Sequence, residues 1–259
     1  EDVVIRRYKL KSELNYIGEL VPNEPSVIFI PGGMATMPAV YEGIGEMIDW
    51  NSVIIDWSTS PGPWDVVLLG NRVAEFIREH ELKDVIVAGY SAGGVIAMQA
   101  VIADEEHRIK GLLLSNTGPC TIGHGDPDLP DRVLEQWFSM ELFEPFIERC
   151  FAFPIDATLK KRMIEYAEPI DKAVVYQSTK TLREHDLRPQ LGKITCPVTI
   201  AHGIFDKTRT KEHVKMLEEG IRHARVVYLE GGHTIMIEDR QRWVEELIRL
   251  IEQVHNNGG

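Results

Sequence analysis

The chain has 259 residues, 44% of them apolar, enough for one large α/β domain or two small ones with a substantial core. Its net charge of −12 argues against nucleic-acid partners, which need clustered Lys and Arg, and disfavours anionic membrane surfaces. No apolar run approaches the roughly 20 residues of a membrane span, and Cys120, Cys150 and Cys196 are too few and too scattered to suggest a disulfide framework or a metal site.

The opening Glu1-Asp2-Val3-Val4 lacks the basic-then-apolar layout of a secretory leader, so a cytoplasmic setting is expected. Residues 3–10 and 13–19 alternate loosely and predict an opening hairpin. Ser26-Val27-Ile28-Phe29-Ile30 is a continuous apolar run, the pattern of a strand buried on both faces. It ends in Pro31-Gly32-Gly33-Met34. A short helix is expected over 38–48, a strand over 52–57 and a helix over 64–80. A buried strand follows from Asp84, then an Ala- and Met-rich helix to Ala100, then another buried strand at 111–116.

From roughly 118 to 190 there is no long β-branched run, and helices are expected over 131–151, 156–168 and 170–184. Strand–helix alternation resumes with a strand at 198–203, a helix at 209–221, a strand at 225–229 and an amphipathic helix at 239–255. This order predicts a mostly parallel, doubly wound sheet. The middle stretch, 118–190, then reads as a helical cap inserted into a core of 1–117 and 191–259.

The chemistry concentrates at strand ends. Between the strand from Asp84 and its following helix lies Gly89-x-Ser91-x-Gly93. A strand turning at once into a helix presses backbone on backbone, so small flanking residues are needed, and the serine at the apex is exposed. A serine hydroxyl needs a base to take its proton, and imidazole suits that task. His233, in Gly231-Gly232-His233 after the last strand, is the candidate base. Its other nitrogen needs an acceptor, for which Asp206 is the candidate. His202, His213, His223, Asp56 and Asp186 compete less well, because none pairs with a partner at a consecutive strand end. An oxyanion would be met by the N–H of Ala92 and by that of Gly33 or Met34.

The ordered set Phe29-Ile30-Pro31-Gly32-Gly33, Gly89-Tyr90-Ser91-Ala92-Gly93, Thr195-Cys196-Pro197-Val198, His202-Gly203-x-x-Asp206 and Gly231-Gly232-His233 resembles the α/β-hydrolase fold family. The resemblance covers almost the whole chain. It implies a mostly parallel eight-stranded sheet flanked by helices, a helical cap and a Ser91–His233–Asp206 triad. Within the family the chain is similar to small capped esterases and enol-lactone hydrolases. Two departures stand out. Pro31-Gly32 replaces the common His-Gly, which leaves the second oxyanion donor open. A Ser nucleophile weighs against dehalogenase and epoxide hydrolase chemistry, which needs a carboxylate.

The expected reaction is therefore hydrolysis of a small, largely apolar ester or lactone through an acyl-serine, with water as co-substrate and no cofactor or metal. Met37, Trp137, Phe138, Met140 and Phe143, with Met34 and Phe146, are candidates for an apolar pocket or, equally, for the packing of the cap. A C–C bond hydrolase, an aminopeptidase, an acyltransferase and a non-catalytic ligand-binding protein remain alternatives, as do monomer and homodimer.

Overall fold

The computed structural model describes residues 12–257. Four runs that are apolar without alternation form the middle of the sheet: β2 (Pro25–Ile30), β4 (Lys83–Tyr90), β5 (Ile109–Ser115) and β6 (Val198–Gly203). Covered on both faces, they have no solvent side on which to place polar residues. With β1 (Tyr16–Gly18), β3 (Asn51–Ile55) and β7 (Arg225–Leu229) they make a seven-stranded sheet in the order β1-β3-β2-β4-β5-β6-β7. Among the described residues only β1, exposed at one edge, pairs antiparallel.

The described residues hold seven of the eight strands that the resemblance implied. The expected strand at 3–10 lies outside the described residues. Its partner at 13–19 shortens to β1, which pairs with β3. The helix expected over 38–48 is instead two 3₁₀ turns, Pro38–Tyr41 and Gly45–Met47, separated at Gly43, whose φ of +78° does not belong to a right-handed helix.

The chain runs from β2 outward to β3 and then returns across β2 to β4. That reversal leaves a crevice at the carboxyl ends of β2 and β4, where open α/β sheets bind ligands. Two helices frame it. In α1 (Val66–Glu79), Asp65 caps the first turn by accepting from the N–H groups of Val67 and Leu68 at 2.8 and 3.0 Å. In α2 (Ala92–Ala103), small and apolar residues let the helix sink wholly into the core for its first nine positions.

Between β5 and β6 stands a helical insertion: α3 (Leu129–Gln136), α4 (Met140–Arg149), α5 (Ala157–Ala167) and α6 (Lys172–Glu184). The single helix expected over 131–151 is broken at Trp137-Phe138-Ser139, where the Ser139 hydroxyl accepts from the Leu142 N–H and starts α4 afresh. After β6 come α7 (Lys211–Gly220), the short α8 (Ile235–Glu238) beyond β7, and α9 (Arg240–Asn257), which packs on β5 and β6. Among the described residues no helix is long and apolar enough to cross a membrane.

Candidate active site

Ser91 links β4 to α2 with φ 54° and ψ −120°, a left-handed conformation costly for a side-chain-bearing residue. The surrounding packing enforces it. A Cβ on Gly93 would stand 2.3 Å from the Ile30 carbonyl oxygen, and one on Gly89 would stand 2.3 Å from that of Gly93. The Ser91 N–H donates to the Ser115 carbonyl at 3.0 Å, and the Thr117 hydroxyl donates to the Ser91 carbonyl at 2.6 Å. The turn is thus held from three strand ends at once.

Asp206 and His233 arrive from the loops after β6 and β7. His233 Nε2 lies 2.9 Å from Ser91 Oγ, and His233 Nδ1 lies 2.9 Å from Asp206 Oδ2. A carboxylate can only accept, so Nδ1 carries the proton and donates to Asp206, leaving Nε2 as acceptor for the serine hydroxyl. Both side chains are buried, 2% and 0% exposed. Burial by itself would raise the Asp206 pKa. The His233 charge and hydrogen bonds from His233, Asn116 and the Arg209 N–H oppose it and hold the carboxyl well below the usual carboxylate range. Asp206 Oδ1 accepts from the N–H groups of Thr208 and Arg209 at 2.7 and 3.0 Å.

Three residues support this relay. Asn116, at the end of β5, donates from Nδ2 to Asp206 Oδ2 at 2.7 Å and to the Gly232 carbonyl at 3.0 Å, tying the acid loop to the histidine loop. Glu238 accepts from the N–H groups of Gly232, Ala152 and Phe153 at 2.6, 2.8 and 2.9 Å, anchoring the histidine loop to the segment after α4. Gly203 permits the close approach of β6 to that loop, since a Cβ there would meet the Gly232 carbonyl oxygen at 2.0 Å. A sequence signal existed only for Asn116, which directly follows a strand.

Gly33, Met34 and Ala92 line the cavity at Ser91. Their N–H groups donate no hydrogen bond to other described residues. Met34 and Ala35, with φ of 53° and 52°, turn the chain after β2 toward the elbow.

The cavity itself is small, about 40 Å³. Larger hollows, of about 380 to 540 Å³, open elsewhere on the surface, away from Ser91. The expected apolar lining needs correction. Met34 and Phe146 line the cavity, but Met37, Trp137, Phe138, Met140 and Phe143 do not. Trp137, Phe138 and Phe143 pack edge-on or tilted against each other at 5.2 to 5.7 Å, and Trp137 Nε1 donates to the Ile170 carbonyl at 2.9 Å. They are the insertion's own core. Met140 is 40% exposed, and Met37 is buried beside a separate surface hollow. What lines the roof instead is Leu129 and Leu182 with the polar His124, Arg149, Thr179 and Arg183.

The competing groups sit elsewhere. His202 is buried at the end of β6, its pKa pushed down to about 4 by burial. His213 caps α7, its Nδ1 accepting from the Thr210 N–H at 3.0 Å. His223 contacts the Cys196 carbonyl, Asp56 accepts from the Tyr166 hydroxyl, and Asp186 pairs with Arg188.

The family profile described as alpha/beta hydrolase family matches residues 27–247, which span every element from β2 into α9. The chain belongs to the alpha/beta hydrolase family. Among its relatives is a pimeloyl-(acyl-carrier protein) methyl ester esterase of Yersinia enterocolitica, 26% identical over 62% of this chain and 67% of the relative. The corresponding esterase of Shewanella oneidensis is 29% identical over 65% of this chain and 68% of its own length. These distant relatives of the hydrolase are carboxylic ester hydrolases. In three dimensions it superposes on an esterase from Exiguobacterium antarcticum with a TM-score of 0.79 at 22% identity, covering 92% of this chain and 94% of that one. It superposes on the enol-lactonase from Burkholderia xenovorans with a TM-score of 0.77 at 20% identity, covering 92% and 96%. At such identities the likeness establishes the shared fold.

Proposed function

We propose that this alpha/beta hydrolase cleaves a small carboxylic ester or lactone by two-step acyl transfer to water, with Ser91 as nucleophile, His233 as base and Asp206 as the acid that orients it. The single observation that carries the reading is the unbroken hydrogen-bond relay from Ser91 Oγ through His233 to Asp206, at 2.9 Å in each link. His233 Nε2 takes the serine proton as Oγ attacks the carbonyl carbon. The imidazolium is stabilised by the adjacent buried carboxylate. The oxyanion is met by the N–H of Ala92 and by that of Gly33 or Met34, all of which border the cavity. His233 then returns its proton to the leaving alkoxide, and water repeats the sequence on the acyl-serine. In this reading the core, 1–117 with 191–259, carries the chemistry, and the insertion, 118–190, shapes the substrate.

Turnover of p-nitrophenyl acyl esters of graded chain length tests the proposal, together with labelling by a fluorophosphonate. Ser91→Ala is expected to abolish labelling and to lower kcat by about 10⁴-fold or more. Unchanged turnover in Ser91→Ala removes the mechanism, and an unlabelled wild-type serine points to an inert binding pocket.

A further inference from the structure

The roof above Ser91 holds positive charge that ester cleavage itself does not use. Arg149 and Arg183, from the last turns of α4 and α6, both border the cavity. Their places near helix C-termini suit the local dipoles, but their heads lack full counter-ions. Arg183 donates from Nε and Nη2 to the Asp126 carbonyl at 3.2 and 2.7 Å, and from Nη1 to the Thr179 carbonyl at 3.0 Å. All these acceptors are neutral. Arg149 comes no nearer than 3.8 Å to the Asp126 carboxylate, which is already paired with Arg132.

Close by, Arg209 is 0% exposed. Its Nη1 donates to the Cys120 carbonyl at 2.8 Å, and its Nε and Nη2 have no partner among the described residues. Neither Arg183 nor Arg209 forms an ion pair with a carboxylate among the described residues. His124, also on the cavity wall, adds no charge at neutral pH. Burial, and then the neighbouring Arg209, push its pKa down to about 3. The local balance is four arginines, Arg132, Arg149, Arg183 and Arg209, against Asp126 and Asp206. The Asp206 charge is engaged with His233. Arg209 is buried and the other three are half-buried; cations withdrawn from water are costly unless an anion meets them, and the surplus stands out in a chain of net charge −12.

We propose that the substrate supplies that anion: the ester cleaved at Ser91 carries a carboxylate on its non-reacting end, received by Arg149 and Arg183 beneath the roof. The substrate class is then the half-ester of a dicarboxylic acid rather than the uncharged apolar ester that the sequence suggests. This specificity rests on the serine-hydrolase reading above.

A matched pair of substrates tests it: monomethyl adipate, which carries the free carboxylate, and methyl hexanoate, which has the same acyl length without it. The wild-type protein is expected to favour the charged ester by about tenfold or more in kcat/KM, mainly through KM. Arg149→Gln and Arg183→Gln are each expected to lower that ratio by about tenfold. Arg149 is partly exposed and weakly paired, so its variant decides the matter should Arg183→Gln fail to fold. Equal turnover of the two esters, or an unchanged ratio in both folded variants, overturns the carboxylate site and leaves the serine mechanism standing. Should Ser91 fail to react with a fluorophosphonate, the mechanism falls, and calorimetric binding to the Ser91→Ala protein decides the site alone. Tighter binding of monomethyl adipate than of methyl hexanoate upholds it, and equal binding overturns it.

Discussion

The strand-end loops and the helical insertion solve opposite problems with different kinds of residue. In the loops, glycines and short polar side chains bring Ser91, His233 and Asp206 within 2.9 Å of their partners, and each loop is tied to its neighbours through Asn116, Thr117 and Glu238. In the insertion, the aromatic residues that sequence offers as a substrate pocket are used up in packing α3 and α4. The faces left to border the cavity carry Arg149, Arg183 and His124. The proposed reactive geometry resides where backbone meets backbone, and the proposed selectivity resides where the insertion has charge left over.

This contrast is open to direct attack. The largest effect belongs to the loops. Asp206→Asn is expected to lower kcat, measured on the folded fraction, by about 10⁴-fold by reversing the His233 tautomer. A drop mainly in stability instead would make the carboxylate a structural residue.

In the insertion the sign of the test reverses. Phe143→Ala is expected to cost about 3–5 kcal/mol by urea titration, because the ring is fully buried among Trp137, Phe138 and Phe146. Labelling of Ser91 by a fluorophosphonate should persist in the folded fraction. Loss of labelling with unchanged stability would return Phe143 to the substrate pocket.

Acid separates the regions on a third axis. His124, His202 and His213 are held at about 3, 4 and 4, below the ordinary value of 6.5, mainly by burial. Between those values the unfolded chain binds more protons than the folded one, so stability falls as pH drops from about 6.5 toward 4. The Asp206 carboxyl, also depressed, adds its loss only below about pH 4. Urea midpoints measured from pH 7.5 to 4.5 should decline, and His202→Gln should flatten the slope. A flat wild-type profile would show these imidazoles to be solvated.

Smaller still, Asn116→Ala is expected to reduce kcat by about ten- to a hundredfold with little change in KM, since it removes a hydrogen bond to the buried Asp206 charge. A shift confined to KM would place Asn116 in substrate binding. Smallest of all, Met140→Ala should alter stability by less than about 0.5 kcal/mol, as expected of an exposed side chain.

The parallel strands were legible because residues buried on both faces must be apolar throughout, and the elbow because only glycine tolerates contacts such as that of Gly93 with the Ile30 carbonyl. The placing of Ser91, Asp206 and His233 just after strand ends was legible for the same reason. The split of 131–151 into α3 and α4 was less so, since Ser139 reads as an ordinary helix residue until its hydroxyl is seen capping a new turn. Glu238 acts on the far side of a turn, which no local pattern reports, and Asn116, though it follows a strand, acts on a loop 90 residues away.

The amino-acid sequence by itself determined the layer order and the strand ends at which reactive side chains emerge, because periodicity and glycine sterics are local properties. The use of each insertion residue was decided only in three dimensions. Trp137 and Phe143 turn toward one another while Arg149 and Arg183 border the cavity, because short amphipathic helices can be rotated and docked in several ways. Which face meets the serine is settled by packing between elements distant in the chain.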